Sequence, residues 1–139
     1  MMPIHRTWIA AMLAALLAGC AATGAAQRMA TRLAEVESVA GSPVESFHFW
    51  DLHSWQPLGP RDLLVQTRVD EGWLIRVDEP CSGLEFATRI GLSSSQQRVY
   101  ARFDEVLFER QRCRIREIRP VDLKALRRLR SSASKAGES

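Results

Sequence analysis

The chain has 139 residues, 46% of them hydrophobic, with a formal net charge of +3. That length suits one compact domain and excludes two, and the composition is ordinary for a globular chain. The charge is uneven. Residues 28–97 carry six arginines against ten acids, whereas residues 98–130 carry eleven basic residues against five acids. The basic C-terminal third reads as a solvated arginine-rich face, with anionic lipid or another acidic surface as the alternative contact.

The chain opens on a basic start containing Arg6, followed by the apolar run from Trp8 to Ala18. This run falls short of the roughly 20 apolar residues that span a bilayer, so it reads as a signal-peptide core. It leads into Leu16-Leu17-Ala18-Gly19-Cys20, which resembles the lipobox of bacterial lipoproteins. The resemblance implies cleavage before Cys20, a diacylglyceryl group on its thiol and acylation of the new amine. Residues 1–19 are then a signal peptide and Cys20 is the membrane anchor. Ala21 rather than Asp after the anchor resembles the pattern that sends enterobacterial lipoproteins to the outer membrane. An exported chain has no nucleic-acid partner to expect, despite its basic balance.

With Cys20 lipidated, Cys81 and Cys113 remain as an even pair in an oxidising compartment. A disulfide between them is expected, with two buried free thiols as the alternative.

Residues 20–26 are small and read as a flexible tether. Residues 27–39 carry Met29, Leu33 and Val36 on one helical stripe, ended by Gly41 and Pro43. From Val44 the period becomes two, with Phe47 and Phe49 alternating with His48 and Trp50. Leu52 to Gly59 reads as a strand end or edge segment because of Pro57. Leu63, Val65, Thr67 and Val69 share one face, and Trp73, Ile75 and Val77 another, so 63–69 and 73–78 form a hairpin. Its turn, Asp70-Glu71-Gly72, is expected to need positive φ at Gly72. Leu84 to Leu92 alternates cleanly and predicts a strand. Further strands are expected through Val99–Phe103, Val106–Phe108 and Cys113–Ile118, with a bulge near Glu117 and an end at Pro120. Asp122 is placed to cap a short helix, Leu123 to Arg130, and residues 131–139 read as a disordered tail.

The expected fold is therefore α+β. It has an N-terminal helix, five to seven short antiparallel strands curled or closed into a small barrel, and a short C-terminal helix. Residues 27–130 make the single domain.

Several stretches together carry a second resemblance: Ser46-Phe47-His48-Phe49, Ser54-Trp55-Gln56-Pro57-Leu58-Gly59, Cys81 with Leu84, Cys113-Arg114-Ile115, and Ile118-Arg119-Pro120-Val121-Asp122. They resemble a family of small proteobacterial lipoproteins known only as a domain of unknown function, over most of residues 27–126. The resemblance fits a structural bridge between the paired cysteines and implies no activity.

Candidate chemistry gathers at His48, Asp51 and His53, beside Trp50 and Trp55. On a continuous strand Asp51 and His53 point the same way and His48 the opposite way. Two ligands from one strand, with no further histidine, make a poor metal site. An Asp-oriented His53 is a possible base for a hydrolase, but no Gly-x-Ser-x-Gly elbow supplies the nucleophile. The acid pairs Asp78/Glu79 and Asp104/Glu105 read as solvated turn residues. Trp73 is in phase with Ile75 and reads as core, whereas Trp50 and Trp55 are the tryptophans available to a ligand. The leading expectation is a lipid-anchored, periplasm-facing envelope protein without a cofactor. It would act as a non-catalytic accessory or binding module for another envelope protein, through Trp50, Asp51, His53 and Trp55. The alternative is a hydrolase or metal-binding protein using Asp51 and His53.

Overall fold

The structure, a computed structural model, describes residues 23–138. The expected signal peptide, Cys20 and the first residues of the tether lie outside the described residues. The remainder of the tether does not stand apart. Residues 23–26 are helical and open α1, which runs through residue 38. Ala25 and Ala26 are strong helix formers and carry the helix upstream of the apolar stripe. Val36 is fully buried and Leu33 partly so.

Among the described residues eight strands follow: β1 (Ser46–His48), β2 (Ser54–Pro57), β3 (Asp62–Arg68), β4 (Glu71–Val77), β5 (Gly91–Leu92), β6 (Arg98–Tyr100), β7 (Glu105–Phe108) and β8 (Gln111–Val121). Helix α2 (Leu123–Gly137) closes the described chain. Six strands form one antiparallel half-barrel sheet in the order β2-β3-β4-β8-β7-β5, and β1 pairs with β6 as a separate ribbon. The fold is α+β, as the sequence predicts. The sheet curls without closing, and Pro57 lies on its outermost strand, where a missing N–H costs no ladder bond.

The central strands are covered on both faces. Leu63, Val65, Ile75, Val77, Cys113, Ile115 and Ile118 point into the concave side, where Phe47 and Val99 of the β1–β6 ribbon join them. Leu64 and Leu74, directly opposite each other in the β3–β4 ladder, point to the convex side. There they meet Val36 of α1 with Leu123 and Leu126 of α2. One charged cluster sits beside this second core. The Arg76 Nε donates to Asp62 Oδ1 at 2.7 Å, and its Nη2 donates to Glu37 Oε1 at 3.1 Å. The hydrogen bond to Asp62, working against desolvation, holds the Arg76 guanidinium above its ordinary pKa.

The Cys81 and Cys113 thiols are joined in a disulfide on the concave side. It ties β8 to the segment after β4. Closing a loop of about 33 residues contributes about 3–4 kcal/mol in the chain-entropy account.

Several expectations are corrected. Gly72 lies within β4, and the turn is at residues 69–70. Its role is close approach rather than positive φ, because a Cβ there would fall 2.8 Å from Leu123 Cδ2 and 3.1 Å from Leu123 Cγ. The left-handed glycine is Gly83, at φ 88°. Residues 84–92 are not a strand. Leu84–Phe86 form a 3-10 turn, and only Gly91–Leu92 pair with β7. The alternation there was real but shared out differently. Leu84 and Leu92 are buried, Ala87 and Ile90 pack against the core, and Phe86 is 76% exposed.

Asp104 is buried rather than solvated. Its Oδ2 accepts from Tyr100 N and its Oδ1 from the Ser93 hydroxyl, both at 2.7 Å. The Ser93 hydroxyl oxygen in turn accepts from Glu105 N, so this serine braces a turn.

The expected bulge in β8 is present. The register steps from Arg76 opposite Glu117 to Val77 opposite Ile115, which leaves Arg116 unmatched and brings Ile115 and Ile118 to one core. Pro120 does not end the strand. Ile118, Pro120 and Asp122 turn their backbone groups toward residues 39–44, where Gly41 N donates to Pro120 O, so the proline removes no bond to β4. Asp122 caps α2 as expected, accepting from Ala125 N at 2.9 Å. The helix continues to Gly137, so residues 131–137 are helical rather than a disordered tail. Ser132 and Ser134 hydroxyls donate to backbone carbonyls one turn earlier and so fit within the helix.

Gly72 offers a direct check on the convex layer. Gly72→Ala should cost about 1–3 kcal/mol of unfolding free energy in urea titrations, because buried Leu123 must shift with its helix. A Cβ added at Gly59 would meet nothing within 4 Å, and Gly59→Ala should stay within about 0.5 kcal/mol of wild type.

Candidate functional site

Antiparallel pairing of β1 with β6 sets His48 directly opposite Arg98 and Ser46 opposite Tyr100. The arginine is fixed by neutral partners. Its Nε and Nη2 donate to Ser46 Oγ at 3.2 and 2.9 Å, and its Nη1 lies 2.8 Å from His48 Nε2. Arg98 has only protons to give, so in this geometry His48 accepts at Nε2 and carries its own proton on Nδ1. None of these partners is a carboxylate. The guanidinium is positioned by three hydrogen bonds, and among the described residues no ion pair neutralises it.

Beside it lies an open cleft of about 560 Å³. One wall is the stack of Phe47 on Trp73, with ring centroids 4.8 Å apart and planes 14° from parallel. Trp73 is held in turn by its Nε1, which donates to Thr67 Oγ1 at 3.3 Å. Trp50 also lines the cleft and is 69% exposed. Arg68 and Glu71 complete the lining, with 3.9 Å between the nearest charged atoms, a loose surface pair. The cleft therefore joins flat apolar faces to two guanidinium groups. Such a surface can hold a ligand that carries a planar or apolar face next to an anionic group.

The expected cluster is not assembled. The strand breaks after His48 and resumes at Ser54, because the chain is crossing from the ribbon to the edge of the half-barrel. Two-residue alternation therefore does not govern 49–53. Trp50 faces the cleft with His48. Asp51 is exposed, and its Oδ1 accepts from Leu52 N at 2.8 Å. His53 is exposed, its backbone N donates to Gln66 O, and no hydrogen bond links its ring to Asp51 among the described residues. Trp55 is half-buried on β2, opposite Val65, and packs against the concave core. Among the described residues no group of three or more His, Cys, Asp or Glu is placed to hold a metal ion.

Arg98, Ser46 and Arg68 are not singled out by sequence patterning. The β1–β6 pairing spans about fifty residues, and alternation marks a strand without naming its partner. The one available signal was that Arg98-Val99-Tyr100 begins a strand immediately after a polar loop.

The two tryptophans of the cleft should separate cleanly. Trp50→Ala should change stability by no more than about 0.5 kcal/mol. Trp73→Ala, which removes half of the stacked pair, should cost about 3 kcal/mol. Urea unfolding followed by far-ultraviolet circular dichroism measures both.

Comparison with curated proteins and with solved structures gives no match. Residues 3–137 match the model of a family described as a family of unknown function, DUF6491. That match spans nearly the whole chain, from the apolar N-terminal run through α2, and the chain belongs to this family.

Proposed function

We propose that this chain is a lipid-anchored, non-catalytic binding module of the cell envelope. Acylated Cys20 holds it at the membrane, and the Trp50–Arg98 cleft takes a partner on the periplasmic side. The order of basic start, apolar run, small residues and cysteine supports the anchor. Ala21 after the cysteine supports residence in the outer membrane. Two or more acyl chains give stable attachment where one does not, so the domain needs no membrane-spanning segment of its own.

The observation that carries the binding reading is an exposed Trp50 beside a guanidinium that is oriented but, among the described residues, not neutralised. A large exposed aromatic adds little to folding and much to an interface. An arginine held by Ser46 and His48 loses little side-chain freedom when an anion arrives. The ligand class that fits is an envelope component presenting a carboxylate or phosphate next to a flat apolar surface.

A photo-crosslinking residue in place of Trp50, in the full chain expressed in its native envelope, tests this. One defined adduct is expected, and Arg98→Ala in the same background should abolish it. Absence of any adduct, or the same adduct with Arg98→Ala, would contradict the assignment. Intact-mass analysis of the purified chain should show an N-terminus at Cys20 with added acyl mass.

A further inference from the structure

The helix pair on the convex face has a polarity that bears on how the domain meets its membrane. Asp122 N donates to Val39 O at 3.0 Å, which places the end of α1 beside the start of α2. Further along, Arg130 Nε pairs with Glu35 Oε2 at 3.3 Å. The helices therefore run antiparallel, and the first turns of α1 share one end of the molecule with the later turns of α2.

That end is basic. Residues 23–35 and 128–138 contain Arg28, Arg32, Arg128, Arg130 and Lys135 against two acids, Glu35 and Glu138. Glu35 is already engaged by Arg130. Arg32 and Arg28 stand three and seven positions before Glu35 and so continue its stripe along α1. Arg127 leaves this stripe, because its Nη1 donates to Val69 O at 3.4 Å, in the β3–β4 turn. Arg28, Arg32 and Arg128 are exposed, and Leu129 beside Arg128 is 40% exposed.

Chain length fixes what this end faces. Residue 23 follows Cys20 by three positions, a reach of no more than about 11 Å even when fully extended. Resting on the reading of Cys20 as the anchor, the start of α1 cannot leave the bilayer surface.

We propose that the arginine stripe of α1 and α2 is a docking surface for anionic phospholipid headgroups, which sets the domain on the membrane by its helical face. The attraction extends about one Debye length, roughly 8–10 Å, so these arginines act only because the anchor holds them there. Each basic side chain at an anionic leaflet raises the docked population about fivefold.

The test uses the full chain in nanodiscs, with a photo-crosslinking residue in place of Ser134. Ser134 is exposed and one turn beyond Arg130 on the stripe. Nanodiscs of phosphatidylcholine alone are compared with nanodiscs that also contain phosphatidylglycerol. Lipid adducts should rise at least about threefold with the anionic lipid and fall back in high salt. The double variant Arg28→Gln/Arg32→Gln should remove most of that rise with unchanged circular dichroism. Equal adducts in both lipids, or an undiminished rise in the double variant, would overturn the proposal. Acylation at Cys20 is read from the intact mass of the same samples. An unacylated chain would therefore defeat the anchor reading separately from the headgroup contact.

Discussion

Burial of the central strands on both faces is the constraint on which the rest of the structure depends. A half-barrel of six strands has a concave side that can close on itself and a convex side that cannot. The apolar convex residues Leu64 and Leu74 need a cover, and α1 and α2 supply it. Gly72 lets Leu123 come close enough to the strand, and Asp122 starts α2 at the point where β8 ends. Arg76 joins Glu37 of α1 to Asp62 of β3 at the margin of the same layer. On the concave side, the β1–β6 ribbon and the disulfide do the corresponding work. Neither layer is large, so the covalent tie between Cys81 and Cys113 matters to a chain of this size.

The division of faces also separates two surfaces. Trp73 packs on the concave core, and the cleft it shares with Trp50 and Arg98 lies at the rim of that side, beside Arg68 and Glu71 of the β3–β4 hairpin. The basic stripe belongs to the helices across the sheet. With the proposed anchor at Cys20, just before α1, the domain would rest on one side and present the other.

What the sequence made legible followed from local rules. The β3–β4 hairpin was plain because Val65, Ile75 and their neighbours alternate over several residues, and the β8 bulge was plain because Ile118 falls out of phase with Ile115. The Asp122 cap and the stripe through Leu33 and Val36 were equally local. What was illegible depended on contacts between distant residues. Leu84 to Leu92 alternates like a strand, yet it lacks a partner for most of its length and folds as a 3-10 turn and loop. Gly72 has the look of a turn glycine in sequence, and only the fold brings Leu123 against it. Asp104 looked solvated because nothing in the sequence announces that Ser93 and Tyr100 N converge on it. At the site, Trp50 was legible as an aromatic out of phase with the core. Its true companions, Arg98 and Trp73, arrive through strand pairing, whereas its sequence neighbours Asp51 and His53 turn to solvent.

On the proposed anchor and headgroup contact, the lipidated domain stands on its helices with the Trp50 cleft turned away from the bilayer. The most direct measurement compares fluorescence quenching of the wild type and Trp50→Phe, reconstituted in vesicles with brominated acyl chains and then exposed to aqueous iodide. The difference between the two proteins isolates Trp50. The account predicts that this component is quenched by iodide and untouched by the brominated lipid. Quenching of Trp50 by the brominated chains, with protection from iodide, would contradict it.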